Sequence, residues 1–406
     1  MNGERFLERV VLRNYKSIAA CDVQLPSLVF LVGPNGSGKS NFLDALRLVA
    51  DSLRTSLDHA LRDRGGIKDV RRRSSGHPTH FGIRLELTLG DGARGSYAFR
   101  VGARPQGGYE VQAEECVVRP ADLTSPMARY RVEHGEVVAT TLRSAPAAAS
   151  DRLYLVNASG QAPFRAVFEA LSRMGFYNLN PDRIRDLQAP DAGELLARDG
   201  SNLSSVLAQL KTHEPQAKER IEEFLAKVVP GVAGVDARPF GPKETIEFRQ
   251  TVAGSRDPWR FFAASMSDGT LRVLGVLVAL FQTTRDPERR VPLVGIEEPE
   301  VALHPAATGL LLDALRAASA NTQVLVTSHS PDLLDDADID DASILAVDAH
   351  KGVTRIATLD ESGRSVLRER LYTAGELLRL NQLSPDPNRV PNPAGTQLKL
   401  FDEGEG

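Results

Sequence analysis

The stretch Gly33–Ser40, GPNGSGKS, matches in full the spacing of a loop that cradles phosphate. It lies between an apolar run, LVFLV, and a helical pattern, the strand–loop–helix setting such a loop needs. Its glycines let backbone N–H groups turn towards a β-phosphate. Lys39 then reaches the β- and γ-phosphates, and the Ser40 hydroxyl holds Mg²⁺. Asn35, Gly36, Ser37, Gly38 and Asn41 complete the candidate nucleotide-binding set. Far downstream, VPLVGIEEPE is an apolar strand ending in two carboxylates, Glu297 and Glu298. A buried carboxylate needs a partner, and Mg²⁺ bridged to Ser40 supplies one for Glu297. Glu298 is then placed to orient or deprotonate an attacking water. Without the phosphate loop, the same pair reads as a solvated acidic turn. VLVTSHSPDLL is another apolar strand ending in a polar cluster, and its His329 is a candidate contact for the γ-phosphate or the water. A lone histidine is more often structural, so this assignment depends on the other motifs.

A further polar cluster, Ser267-Asp268-Gly269-Thr270, opens a helix whose body, LRVLGVLVAL, is almost wholly apolar. One reading is a plain N-cap, with Ser267 or Asp268 accepting a backbone N–H. The other is an anion site, because a helix start leaves N–H groups unpaired and carries partial positive charge.

Alternating strands and helices must position these groups. FLERVVL and SLVFLVG read as strands, and a long helix follows from Lys39, with apolar Phe42, Leu43, Leu46, Val49, Leu53 and Leu57 at helical spacing. From His80 to Thr141 the period is two, which predicts antiparallel strands joined by glycine-containing turns. The region from 160 to 230 is mostly helical. VPLVGI, TQVLVTS and ASILAVD are expected as parallel core strands. This gives an N-terminal part of the head over 1–158, a helical lid over 159–232, a C-terminal part over 233–383 and a disordered Pro-rich tail over 384–406. At 406 residues, 42% hydrophobic and 25% charged, the chain has ample core. A net charge of −4 carries no global basic excess of the kind an obligate nucleic-acid binder shows. Cys21 and Cys116 match no metal or redox spacing. The polar start and the shortness of VLGVLVALF point to a cytoplasmic protein without a membrane span.

Taken together and in this order, GPNGSGKSN, SMSDGTLR, IEEPEVALHP and TSHSPDLL resemble the motifs of ABC-type ATPases of the SMC/RecF branch, and more closely those of the AAA_21 and OLD ATPases. FLERVVLRNYKSI looks like that branch's first strand and turn. The resemblance implies an α/β P-loop NTPase of ABC/SMC-head type: a mixed β-sheet core, an antiparallel β subdomain and a short helical lid insertion. It implies ATP and Mg²⁺ as cofactors, with Ser40 and Glu297 on the metal and Glu298 and His329 catalytic. It also implies two heads closing on two ATP molecules, so that Ser267, Asp268, Gly269 and Thr270 of one copy read the nucleotide of the other. Two departures stand out: Glu297 where Asp is commoner, and SDGT where transporters have SGGQ.

Tyr15 and Lys16 either flank the nucleotide or mark an aromatic packed at a strand end. No Gln in a clear Q-loop context stands out. Lys68, Arg71, Arg72 and Arg73 are a candidate for DNA phosphates or a solvated turn. No long heptad array and no nuclease domain are read in the sequence, so any effector, a nuclease or toxin, is expected to act in trans. QLKLF at Gln397–Phe401 resembles a bacterial sliding-clamp-binding pentapeptide, against the alternative of a segment folding back on its own chain. The function expected is an ATPase switch for a DNA-linked process, first phage or plasmid defence, with RecF-like repair as the alternative. A transporter subunit and a non-hydrolysing scaffold rank lower.

Overall fold

The structure is a computed structural model that describes residues 5–74, 78–122, 124–282, 290–392 and 399–401, with only the backbone of Pro305 and Ala306. In chain order its elements are β1 (Leu7–Tyr15), β2 (Ile18–Gln24), β3 (Leu28–Val32), α1 (Lys39–Arg54), α2 (Leu57–Arg62), α3 (Ile67–Val70), β4 (His80–Thr88), β5 (Arg94–Ala103), β6 (Tyr109–Arg119), β7 (Ala128–Glu133), β8 (Glu136–Thr140), α4 (Leu155–Ala158), α5 (Ala162–Ser172) and β9 (Gly175–Tyr177). They continue with α6 (Pro181–Arg185), α7 (Leu203–His213), α8 (Pro215–Val228), β10 (Val232–Phe240), β11 (Lys243–Gln250), β12 (Trp259–Phe262), α9 (Asp268–Phe281), β13 (Leu293–Glu297), α10 (Pro305–Ser319), β14 (Gln323–Ser328), β15 (Ile344–His350), β16 (Val353–Thr358), α11 (Glu361–Arg368) and α12 (Ala374–Arg379).

Thirteen strands form one sheet in the order β8-β7-β6-β5-β4-β1-β2-β16-β15-β3-β14-β13-β9. From β15 to β9 neighbours run parallel, and from β8 to β2 antiparallel. The parallel strands are apolar on both faces because both are covered. Along β3, Val29 and Leu31 enter one hydrophobic core, which includes Phe42 and Leu46 of α1. Phe30 and Val32 enter the other, with Leu274 of α9 and Leu311 of α10. The period of two therefore divides a single strand between two cores.

Several expectations are corrected here. The long helix ends at Arg54, where Ser56 caps a new helix by accepting from the His59 N–H, so Leu57 belongs to α2. Within 159–232, the short β9 joins the main sheet, and α5 packs on α1 through the first core. The helical layer over the second core begins at α6, and it carries a separate three-stranded sheet, β10-β11-β12, that the sequence reading placed in the C-terminal part.

The expectation of a disordered tail is also corrected, for the described residues 384–392 and 399–401. Leu383 and Asp386 are buried, and Leu359 bridges to Pro385. Arg84 Nη1 donates to the Leu400 carbonyl at 3.2 Å, and the Phe401 ring lies under Arg131 at 5.0 Å. Of the pentapeptide, Gln397 and Leu398 lie outside the described residues, while the apolar Leu400 and Phe401 sit against their own sheet. The physical reason is that β4 presents Gly82 there: a side chain at that position would collide with Leu400 Cδ1 at 2.3 Å.

In the antiparallel region Glu114 of β6 is fully buried. It accepts from the hydroxyls of Tyr97 at 3.1 Å and Tyr130 at 2.8 Å, and from the backbone N–H groups of Tyr154 and Leu155. Burial pushes its pKa up to about 7 against the pull of these donors.

Candidate functional site

The C-terminal ends of β3, β14 and β13 lie side by side, because Ser328 pairs with Val32 and Glu297 with Thr327. The phosphate loop leaves β3, His329 follows β14, and Glu298 follows β13. In open α/β sheets this edge is where ligands bind. The sheet thus brings together three motifs that are far apart in sequence.

The loop is shaped by left-handed glycines, Gly36 at φ 77° and Gly38 at φ 108°. Gly38 is required twice over: a Cβ there would fall 2.1 Å from Thr354 Oγ1. A hydrogen-bond relay fixes this contact. Asn41 Nδ2 donates to Ser17 Oγ at 2.7 Å, Ser17 to Thr354 Oγ1 at 2.7 Å, and Thr354 Oγ1 to the Ser37 carbonyl at 2.7 Å. Lys39 is largely buried and donates to the carbonyls of Gly33 at 2.7 Å and Pro34 at 3.0 Å. Burial lowers its pKa, while Glu298 and Glu300 act in the opposite direction.

Ser40 and Asn41 share a cavity of about 150 Å³ with Lys16, Asp44, Arg198 and Glu297. An exposed hydroxyl and a carboxylate oxygen are hard donors that suit Mg²⁺, so the residues fit the metal the motif implies. Glu298 has a left-handed backbone, φ 46°, rare for a side chain of this kind. Its N–H donates to the Thr327 carbonyl at 3.0 Å, and its Oε1 lies 3.1 Å from His329 Nδ1. The structure brings Glu298 and His329 together.

At the start of α9, Ser267 Oγ accepts from the Thr270 N–H at 3.3 Å, so within one chain it is a cap. Ser267 and Asp268 are exposed and Thr270 is buried. Asp268 is held by Arg185 of α6. Gly269 packs so closely on the Ala302 carbonyl that a Cβ would sit 2.6 Å from it.

Tyr15 is completely buried and donates to Asp44 Oδ2 at 2.7 Å, which is the packing reading and not a nucleotide contact. Lys16 also pairs with Asp44, the hub of a network with Arg47 and Arg64. Burial opposes the charge on Asp44, but Arg64 and Lys16 outweigh it and hold the carboxyl well below the usual range. Arg71 donates to the Pro78 carbonyl at 2.6 Å and Arg73 pairs with Asp69, while Lys68 and Arg73 are exposed.

Four residues of the site escaped the sequence reading. Arg198 Nη2 donates to Glu297 Oε1 at 2.7 Å. Arg272 of α9 donates to the carbonyls of Leu179 at 2.9 Å and Glu298 at 3.0 Å, tying the signature helix to the acidic turn. Glu300 accepts from Ser328 Oγ at 2.6 Å, and burial raises its pKa. Thr354 is the fourth. Glu300 had a signal, as a third carboxylate in IEEPE, and Arg272 closes the quoted SMSDGTLR, but Arg198 and Thr354 had none.

A family model described as "AAA domain, putative AbiEii toxin, Type IV TA system" matches residues 28–335, well over half of the chain. The chain belongs to the AAA_21 family. The fold of this AAA_21 protein is that of SMC heads. The structure of an Smc head bound to the C-winged helix domain of ScpA matches with a TM-score of 0.55 at 14% identity, over 88% of this chain and 99% of that one. The Pyrococcus furiosus Smc head with an extended coiled coil, bound to the C-terminal domain of ScpA, also gives 0.55, at 13% identity, over 91% and 100%. Among curated proteins, the DNA replication and repair protein RecF of Aliivibrio fischeri (strain MJ11) is 43% identical over 44 residues, and that of Vibrio vulnificus (strain YJ016) 46% over 44. Each match spans 11% of this chain and 12% of the relative's length. The AAA_21 protein is thus an ABC/SMC-like P-loop NTPase. Among its described residues no helix is long and apolar enough to cross a membrane.

Proposed function

We propose that this protein hydrolyses ATP and that two copies close head to head on two nucleotides, coupling the cycle to a DNA-linked process. The observation that carries the reading is Glu298, held in a strained backbone conformation beside His329 at the strand edge that bears the phosphate loop. Loop N–H groups and Lys39 bind the phosphates, Lys39 exchanging the Gly33 and Pro34 carbonyls for them. Ser40 and Glu297 would hold Mg²⁺, which would neutralise charge on the β- and γ-phosphates. Glu298 takes the proton of the attacking water, and His329 orients the Glu298 carboxylate. The exposed start of α9 supplies Ser267 and its helix N-terminus to the γ-phosphate of the second copy.

Defence against phage or plasmids, through a separately encoded nuclease or toxin, is the first process we assign, supported by the family's toxin–antitoxin description. RecF-like repair is the second, supported by the 44-residue likeness to RecF. Binding of the tail to a sliding clamp requires release of Leu400 and Phe401 from the sheet.

The test is Glu298→Gln. It is expected to bind ATP, release phosphate at least about 100-fold more slowly and form a dimer with ATP in light scattering. Wild-type phosphate release would remove Glu298 from its role, and a persistent monomer would remove the two-headed closure. A pull-down of this variant from its native host then separates the two processes: a nuclease or toxin supports defence, and repair proteins without one support maintenance.

A further inference from the structure

Glu297 is paired in the structure with a cation that no sequence motif contains. The Arg198 side chain is 45% exposed and the Glu297 side chain 20%, and they meet through one contact of 2.7 Å. Half-exposed single ion pairs contribute little to stability, so the pair does little to hold the fold.

The backbone beneath Arg198, by contrast, is firmly tied. The Asn178 N–H donates to the Arg198 carbonyl at 2.9 Å and the Asn180 N–H to the Asp199 carbonyl at 3.1 Å. The Ala197 N–H donates to Asn202 Oδ1 at 2.7 Å. The Leu196 N–H donates at 2.9 Å to Oε1 of Gln282, the buried C-cap of α9, whose Nε2 in turn donates to the Tyr177 hydroxyl at 2.6 Å. The loop is therefore stapled both to β9, beside the Glu297 strand, and to the signature helix. What can move is the long side chain alone.

Two other cations line the same cavity, Lys16 and Arg47, but both are engaged by Asp44. A divalent ion held by Ser40 and Glu297 must take a carboxylate oxygen as ligand, and a guanidinium on that carboxylate competes with it by charge and by position.

We propose that Arg198 is an exchangeable counter-cation for Glu297. It neutralises the carboxylate in the metal-free protein and leaves when Mg²⁺ arrives with nucleotide, so that the metal enters only with the added negative charge of the phosphates. The inference rests on the reading of Ser40 and Glu297 as the metal side of the site.

The experiment titrates a fluorescent ATP analogue into wild type, Arg198→Ala, Arg198→Lys and Glu297→Gln, each in Mg²⁺ and in EDTA. In Arg198→Ala the preference for Mg²⁺ over EDTA is expected to rise about tenfold. Arg198→Lys is expected to stay near wild type. An unchanged Mg²⁺ preference in Arg198→Ala overturns the proposal. So does an equal loss of affinity in Mg²⁺ and in EDTA, which would make Arg198 a phosphate ligand. Glu297→Gln is the separate check: its Mg²⁺ preference should collapse, and a wild-type preference there would refute the metal reading itself.

Discussion

Around the phosphate loop, Lys39, Glu297 and Glu298 each have an address inside the chain: loop carbonyls, Arg198 and His329. At the start of α9, the exposed Ser267 only caps its own helix, and Asp268 rests on Arg185 at the surface. The first region is arranged to receive a ligand within one chain. The second is presented outwards on a helix whose buried body is locked into the core, with Arg272 tying it to the acidic turn. On the proposed two-headed reading, the difference separates binding, for which one copy suffices, from turnover, which needs a second.

The largest effect should come from breaking the inward half. Lys39→Ala removes the cation aimed at the phosphates and is expected to weaken ATP binding about 100-fold or more, read by nucleotide titration. Next, Ser267→Arg should lower turnover about 100-fold while leaving ATP affinity within about twofold. A parallel loss of affinity would show that the two halves are one unit.

Thr354→Val sharpens the comparison from behind the loop. It strips the buried hydrogen bond to the Ser37 carbonyl, so thermal unfolding should show a loss of about 1–3 kcal/mol together with weaker nucleotide binding. The smallest effect lies far from both halves. Glu114 has a folded pKa of about 7, raised from 4.5 by burial. A carboxyl raised in the folded state favours folding below its unfolded pKa, and this contribution is lost as pH rises from about 4.5 to 7. Glu114→Gln should flatten the fall of melting temperature over that window.

The four motifs and most strands were legible in the sequence because each is a local pattern: glycines around a lysine, or an apolar run ending in acid or histidine. The structure places Ser40 in one cavity with Glu297, and Glu298 beside His329. Arg198 was invisible because an arginine in a polar loop has no periodicity; its meaning comes from a strand far along the chain. Thr354 looked like any β residue until β16 was seen to lie behind the loop. β9 was missed because three residues cannot show an alternation, and the seat of Leu400 was left as one of two alternatives because the glycine that admits it belongs to another strand.

The seating of β3 between β14 and β15, with Thr354 closing the loop from β16, has a consequence for the order in which the molecule is made. A ribosome delivers the glycine-rich loop well before the strands on either side of it and the hydroxyl that fixes it. Nascent chains therefore carry the loop without its final support until those strands follow. Nucleotide bound at the loop has no completed site to stabilise before then.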